Sequence, residues 1–367
     1  MKISLATIYQ VPNFGSVLQA YATQKVLEEL GHECEIVNCT YPSTISEKKS
    51  LKSRLYDATL KMGFTAQQRK IWKLQEFKKK NFQLSPHYLS YDQIANADWN
   101  EYDCFVTGSD QVWNSKFTSC DPLFFLSYAP ERKKKISIAS SFAANSIQDK
   151  YVVKFREALS SFDALSVRES NGVSIIQNQL GIKKDVELVL DPTLLLDRKE
   201  WMHISKKSKA EEPFILLYMW TYAFEPRPYI YEVVQSLMER YNINKVIALE
   251  GYCNIDKINR ESLHAECAED SSIGEFLDLF NKASIVVTSS FHGTAFAINF
   301  SKPVISIVPD GGDDRQSSLL KSVNAESSIF KVGQDPHSAN PFYDIAESQR
   351  ILGELRNKSI DWIRKQL

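Results

Sequence analysis

Residues 284–309 read Ser-Ile-Val-Val-Thr-Ser-Ser-Phe-His-Gly-Thr-Ala-Phe-Ala-Ile-Asn-Phe-Ser-Lys-Pro-Val-Ile-Ser-Ile-Val-Pro. The β-branched run Ile285, Val286 and Val287 predicts a short buried strand. It breaks at Ser289 and Ser290, and a small-residue, apolar segment follows, long enough for about two to three helical turns. Pro303 ends that segment, and a second apolar run covers 304–308. Strand, turn, helix and strand in that order are the repeat of a parallel α/β sheet. The turn presents His292 beside Gly293. The first amides of a helix lack internal partners and carry the positive end of the dipole, so Gly293 and Thr294 are expected to seat an anion. His292, next to that seat, carries a proton that can move near neutral pH.

The same alternation runs through the chain. A strand is predicted over 2–9 and a helix over 15–30, with Val-Pro-Asn-Phe-Gly-Ser as the turn between them, then a strand over 33–38. Further strands are expected at 102–107, 136–140, 164–167 and 186–190. The second half restarts with a strand at 214–219, a helix at 229–241, a strand at 245–249 and a helix at 273–282. This is doubly wound α/β in style. A chain of 367 residues is too long for one ordinary core and fits two domains. The polar stretch 199–212 suggests the boundary, giving domains at 1–198 and 199–345, with a last helix, 346–367, placed to brace the first domain.

Residues 42–82 interrupt the rhythm. Within them, 64–82 predicts an amphipathic helix that sets Ile71, Trp72, Leu74 and Phe77 against Arg69, Lys70, Lys73, Lys78, Lys79 and Lys80. One reading is a surface for peripheral contact with anionic lipid at the inner face of the membrane. The other is an inserted arm with a solvated basic face.

Several classes are excluded. Lys plus Arg (44) nearly balance Asp plus Glu (45), so no global field argues for nucleic acid. No stretch approaches the roughly 20 apolar residues of a membrane span, and the opening run is too short for a signal-peptide core. The six cysteines show no C-x-x-C spacing, as expected of a reduced cytoplasmic chain without structural zinc. Asp310, Asp313 and Asp314 lie in a Gly/Asp loop, for which no metal is expected. No P-loop, dinucleotide or nucleophile-elbow motif occurs.

In open parallel sheets, ligands sit beyond the carboxyl ends of strands. The polar residues collected there are Asn13, Gly15, Ser109, Asp110, Gln111, Arg168, Glu169, Ser289, Ser290, His292 and, one loop further on, Arg315. Each has a structural alternative. Arg168 at a strand end suits bidentate binding of an anion, or pairs with Glu169. Asp110 and Gln111 fit a ligand loop or ordinary turn chemistry. Trp113 can stack on a sugar ring or pack.

Four segments together, Val-Thr-Gly-Ser-Asp-Gln-Val-Trp-Asn (106–114), Ser-Val-Arg-Glu (166–169), Leu-Asp-Pro-Thr-Leu-Leu (190–195) and Val-Thr-Ser-Ser-Phe-His-Gly-Thr-Ala-Phe (287–296), resemble the polysaccharide pyruvyl transferase family. Asn-Phe-Gly-Ser-Val-Leu-Gln-Ala-Tyr (13–21) is similar to the start of its bacterial members. The resemblance implies two Rossmann-like domains with parallel sheets, GT-B-like, with the active site in the cleft between them. It implies transfer of pyruvate from phosphoenolpyruvate to a sugar or lipid-linked acceptor as a ketal, in surface polysaccharide synthesis, with no further cofactor. Characterised relatives can carry an arginine where this chain has Ser290. On this resemblance His292 is the expected general acid and Asp110 a base. Arg168, Arg315, Ser289, Ser290 and the Gly293 and Thr294 amides are expected to bind the donor. Asn13, Gly15, Ser109, Gln111 and Trp113 are expected to bind the acceptor. The competing readings are a glycosyltransferase using a nucleotide-sugar, and a non-catalytic sugar-phosphate binder or scaffold.

Overall fold

Buried β-branched and aliphatic runs become parallel strands in both halves of the chain. The computed structural model describes residues 1–42, 59, 62–211, 213–221, 223–249, 263–311 and 314–367. They group into two units, one of residues 1–59, 76–196 and 355–367, the other of 60–75 and 197–354.

In the first unit β1 (Lys2–Ala6), β2 (Glu33–Ile36), β3 (Cys104–Thr107) and β4 (Lys134–Ser137) form a parallel sheet in the order β2-β1-β3-β4. A parallel pair, β5 (Leu165–Val167) and β6 (Val186–Leu188), continues it through the single bridges Ile136 to Ala164 and Ser140 to Val167. Strand order reverses between β1 and β3, the switch point at which such sheets present their ligand edge. Helix α1 (Phe14–Glu29) leaves β1 there, capped by Asn13, whose side chain accepts the Ser16 amide. An aromatic core of Phe105, Trp113, Phe124, Phe142, Phe155 and Phe162 packs on one side.

Helix α2 (Ala66–Asn81) is the predicted basic helix, two residues shorter at its start and one at its end. Its first part groups with the second unit and its last turns with the first. Most of its charge is turned toward protein. Arg69 pairs with Asp270 at 2.6 Å, and Lys73 donates to the Asp270 carbonyl at 2.7 Å and reaches Glu275 at 3.5 Å. Lys78 donates to the Tyr9 carbonyl at 3.4 Å and lies over the Tyr9 ring, and Lys70 is buried. Lys79 and Lys80 remain exposed. Arg69, Lys70, Lys73 and Lys78 are thus turned to protein while Lys79 and Lys80 face out, a mixed arrangement beside the lipid-facing and solvated readings. A helix α3 (Asp149–Ser160), not anticipated from the sequence, buries Phe155 and Leu159.

In the second unit β7 (Ile215–Tyr218), β8 (Val246–Ala248), β9 (Glu266–Cys267), β10 (Ile285–Thr288), β11 (Val304–Val308) and β12 (Ile329–Lys331) form one parallel sheet, ordered β12-β11-β10-β7-β8-β9. Numbered within the unit this is 3-2-1-4-5-6, the order of a dinucleotide-type doubly wound sheet, and the switch point falls between β7 and β10. Helices α4 (Tyr229–Tyr241), α5 (Ile273–Lys282) and α6 (Phe291–Asn299) follow. Next come α7 (Asp314–Ser322) and α8 (Ile345–Gln366). A capping box of Ser272 and Glu275 starts α5. All nine residues of α6 are buried, as expected of a helix without a polar face.

The end of α8, from Leu355, belongs with the first unit. There Arg356 donates to the Leu194 carbonyl at 2.7 Å, Ser359 accepts the Leu190 amide at 3.0 Å, and Lys358 pairs with Glu187 at 2.6 Å.

Cys34, Cys39, Cys104 and Cys120 are buried free thiols, whereas Cys267 is disulfide-bonded, which corrects the expectation of a fully reduced chain; Cys253 lies outside the described residues. Among the described residues no helix is long and apolar enough to cross a membrane, and no cluster of His, Cys, Asp or Glu could hold a metal ion. Asp313 lies outside them.

Candidate functional site

At the switch edge of the first unit the loops after β1 and β3 are tied directly together. Gly108 comes so close to Thr7 that an added Cβ would lie 2.9 Å from the Thr7 Cβ. Asp110 adopts a left-handed φ of 70°, a conformation held only by its surroundings. Its carboxylate accepts the Ser16 hydroxyl at 2.6 Å and the Gln111 amide at 2.9 Å, joining the β3 loop to the first turn of α1. Gln111 in turn accepts from the Asn114 side chain at 2.8 Å. Asn13, Gly15, Asp110 and Gln111 are thus brought to one edge, as the sequence suggested.

Ser109 and Arg168 lie deeper. The Arg168 guanidinium, its side chain 1% exposed, pairs with Asp191 at 2.7 Å and with Glu169 at 3.5 Å. Asp191 also accepts the Ser109 hydroxyl at 2.6 Å, and its other oxygen accepts the Thr193 amide and hydroxyl at 3.0 and 2.7 Å. Glu169 accepts the Ser141 hydroxyl at 2.8 Å and the amides of Phe142 and Ala143 at 2.9 and 3.2 Å. This network fastens the ends of β3, β4, β5 and β6 to one another. Arg168, expected to bind a donor anion, is committed inside it by two carboxylates. Trp113, expected beside a sugar, is 1% exposed; its indole NH donates to the Phe124 carbonyl and its ring packs on Phe142 and Phe162. Sequence reasoning assigned no role to Asp191 or Ser141; the dipeptide Asp191-Pro192 before a helical turn was the available cue, since it is an N-cap followed by proline.

In the second unit the chain leaves β10 at Thr288. The Thr288 hydroxyl donates to the Tyr218 carbonyl at 2.6 Å and accepts the Ser290 amide at 3.0 Å. Ser289 Oγ accepts the Trp220 amide at 2.9 Å and donates to the Trp220 carbonyl at 2.8 Å. The loops after β7 and β10 are therefore clasped across the switch point. Ser290 caps α6 and accepts the Gly293 amide at 3.4 Å, while the Thr294 amide closes on the Ser290 carbonyl at 3.0 Å. These two amides, expected to seat an anion, are bonded within the turn instead. The Thr294 hydroxyl donates to the same carbonyl at 3.1 Å and meets Ser306 at 2.8 Å. His292 stands in the first turn of α6, 7% exposed, its ring edge-on to Phe291 at 5.3 Å. Arg315, also 7% exposed, lies near the start of α7, which follows β11, the neighbour of β10. Lys70 Nζ lies 5.8 Å from the centre of the Trp220 ring.

Gly293 has a packing role. A Cβ there would lie 2.1 Å from Thr288 Oγ1 and 2.8 Å from Tyr218 Cδ1. Thr288 cannot turn away without losing both of its bonds. Gly293→Ala is expected to cost about 3 kcal/mol or more, read as a lowered urea midpoint with unchanged slope.

The fold is that of a GT-B-like α/β protein with two Rossmann-like units. A UDP-GlcNAc 2-epimerase from Methanocaldococcus jannaschii superposes with a TM-score of 0.53 at 13% identity, over 97% of this chain and 99% of that one. The S. aureus protein MnaA, solved with UDP, gives 0.55 at 11% identity, over 97% and 96%. No curated protein matches the sequence. The family model of polysaccharide pyruvyl transferases matches residues 13–311, and the chain belongs to that family.

Proposed function

We propose that this protein transfers pyruvate from phosphoenolpyruvate to two hydroxyls of a sugar, as a ketal, in the synthesis of a bacterial surface polysaccharide. The observation that carries this reading is the position of His292, in the first turn of a buried helix at the switch point of a Rossmann-like unit, in a chain of the pyruvyl transferase family. In the reaction a proton adds to C3 of the enol, one sugar hydroxyl attacks C2, and the second hydroxyl displaces phosphate and closes the ketal. Of the two hydroxyl protons, one is balanced by the new methyl group and the other by the departing phosphate. His292 is the proton donor in this proposal, at C3 or at the leaving phosphate. Asp110, whose carboxylate accepts a hydrogen bond from the Ser16 hydroxyl, is proposed as the base that takes the proton of an acceptor hydroxyl. Arg315 is the arginine proposed for the donor. Arg168 acts through Asp191 and Glu169 as a positioning residue.

Donor identity is tested without knowledge of the acceptor. A ligand that binds only the folded state raises the melting point, by about 2.7 kcal/mol of stability at a hundredfold excess over Kd. The expected result is stabilisation by phosphoenolpyruvate and none by UDP or GDP. Stabilisation by a nucleotide alone would assign the protein to nucleotide-sugar chemistry instead.

A further inference from the structure

We propose that Lys70 is the cation that meets the donor anion at the ligand edge of the second unit. The proposal deepens the phosphoenolpyruvate reading and rests on it for the identity of the anion. It starts from the two loops at the switch point. Trp220 lies two residues beyond the end of β7, and both its backbone groups are held by Ser289, three residues before His292. Its backbone is therefore fixed beside the turn that carries the histidine. Lys70 lies over the Trp220 ring, with Nζ 5.8 Å from its centre, and is 8% exposed.

The neighbours on α2 explain how a lysine reaches this place. Arg69 and Lys73, one residue before and three after, bind Asp270 and Glu275, and so clamp this stretch of α2 onto the second unit. Leu74, one turn on from Lys70, is buried on the same helix face. Lys70 thus occupies a position of the apolar stripe, where an aliphatic residue would serve packing better. Burial pulls its amine down to about 7, against a smaller opposing effect of the Glu269 carboxylate. A lysine whose amine is pulled down by burial takes up a proton more readily when an anion arrives, since the new negative charge favours the ammonium. The aromatic face supplies part of that stabilisation before the anion binds. Phosphoenolpyruvate brings a phosphate and a carboxylate, which need more than one cation; in this proposal Lys70 of α2, over the tryptophan of the β7 loop, and Arg315, near the start of α7, are the two.

The test compares the full-length wild type with Lys70→Met and Lys70→Arg, measuring Kd for phosphoenolpyruvate, inorganic phosphate and UDP by calorimetry in two buffers of different ionisation enthalpy. Lys70→Met keeps the length of the side chain and removes a buried charge, so it is expected to fold and to melt at or above wild type. Its affinity for phosphoenolpyruvate is expected to fall about 10–100-fold, with loss of the buffer-dependent proton uptake. Lys70→Arg, which restores the charge, is expected to recover most of the affinity. Equal affinity and equal proton uptake in wild type and Lys70→Met would overturn the assignment and leave the donor reading standing. Binding of UDP in place of phosphoenolpyruvate, lost in Lys70→Met, would keep Lys70 as an anion ligand and overturn the donor reading. A wild type that binds none of the three anions would overturn both.

Discussion

Replacing His292 with glutamine is expected to lower turnover about 10²–10⁴-fold with phosphoenolpyruvate and acceptor both saturating, while the Kd for phosphoenolpyruvate changes little. Glutamine fills a similar volume but cannot deliver a proton. The split between turnover and binding is therefore the signature of an acid, because an interaction made only in the transition state lowers kcat without weakening the ground state. The surroundings favour this clean outcome. The backbone of the turn is held by Thr288, Ser289 and Ser290, so the substitution leaves the loop in place. The measurement is phosphate release at saturating substrates, paired with calorimetric binding of the donor. Turnover near wild type would remove His292 from the proton transfer.

Replacing Arg168 with methionine is expected to cost about 3–5 kcal/mol of stability, measured as a fall in the urea midpoint. The guanidinium is the cation between Asp191 and Glu169, both within the interior. Its removal leaves two buried carboxylates with only hydroxyl and amide donors to offset them, and that is where the cost of breaking a buried pair arises. The loss also reaches the ligand edge indirectly, since Ser109, next to Asp110, bonds to Asp191. Arg168→Lys keeps the charge but not the planar fork, and is expected to fall between the two. If Arg168→Met melted like wild type yet lost donor binding, the arginine would be a ligand rather than an internal fastener.

Hydrophobic patterning revealed most of the strands and longer helices because their burial is set by local residue type; β12 (Ile329–Lys331) was not among them. Ile285 to Val287 had to be a buried strand, and the following helix had to stop before Pro303, as it does at Asn299. The smallest elements escaped: β9 is two residues long, both exposed, and carries no pattern to read. The first unit's polar network was illegible for a different reason. Its members, Ser109, Ser141, Arg168, Glu169 and Asp191, are scattered over four loops, and only parallel strand order brings them together. A sequence shows each as a polar residue after a strand, which fits a ligand contact as well as an internal bond. The anion seat was misjudged at the level of a single cap. Ser290 has the side chain of an N-cap, and an N-cap takes the very amide, that of Gly293, expected to be open. Lys70 shows the limit of amphipathic reading, since all the lysines of α2 had been assigned to its polar face.

The division of the chain also fixes an order of events during synthesis. Every residue of the second unit leaves the ribosome before Leu355, the start of the first unit's last segment. The sheet edge at β6 and the turn after it wait, until the whole second unit has been made, for Arg356, Lys358 and Ser359 to bond Leu194, Glu187 and Leu190. The nascent chain can therefore complete its His292 half while its Asp110 half is still unfinished.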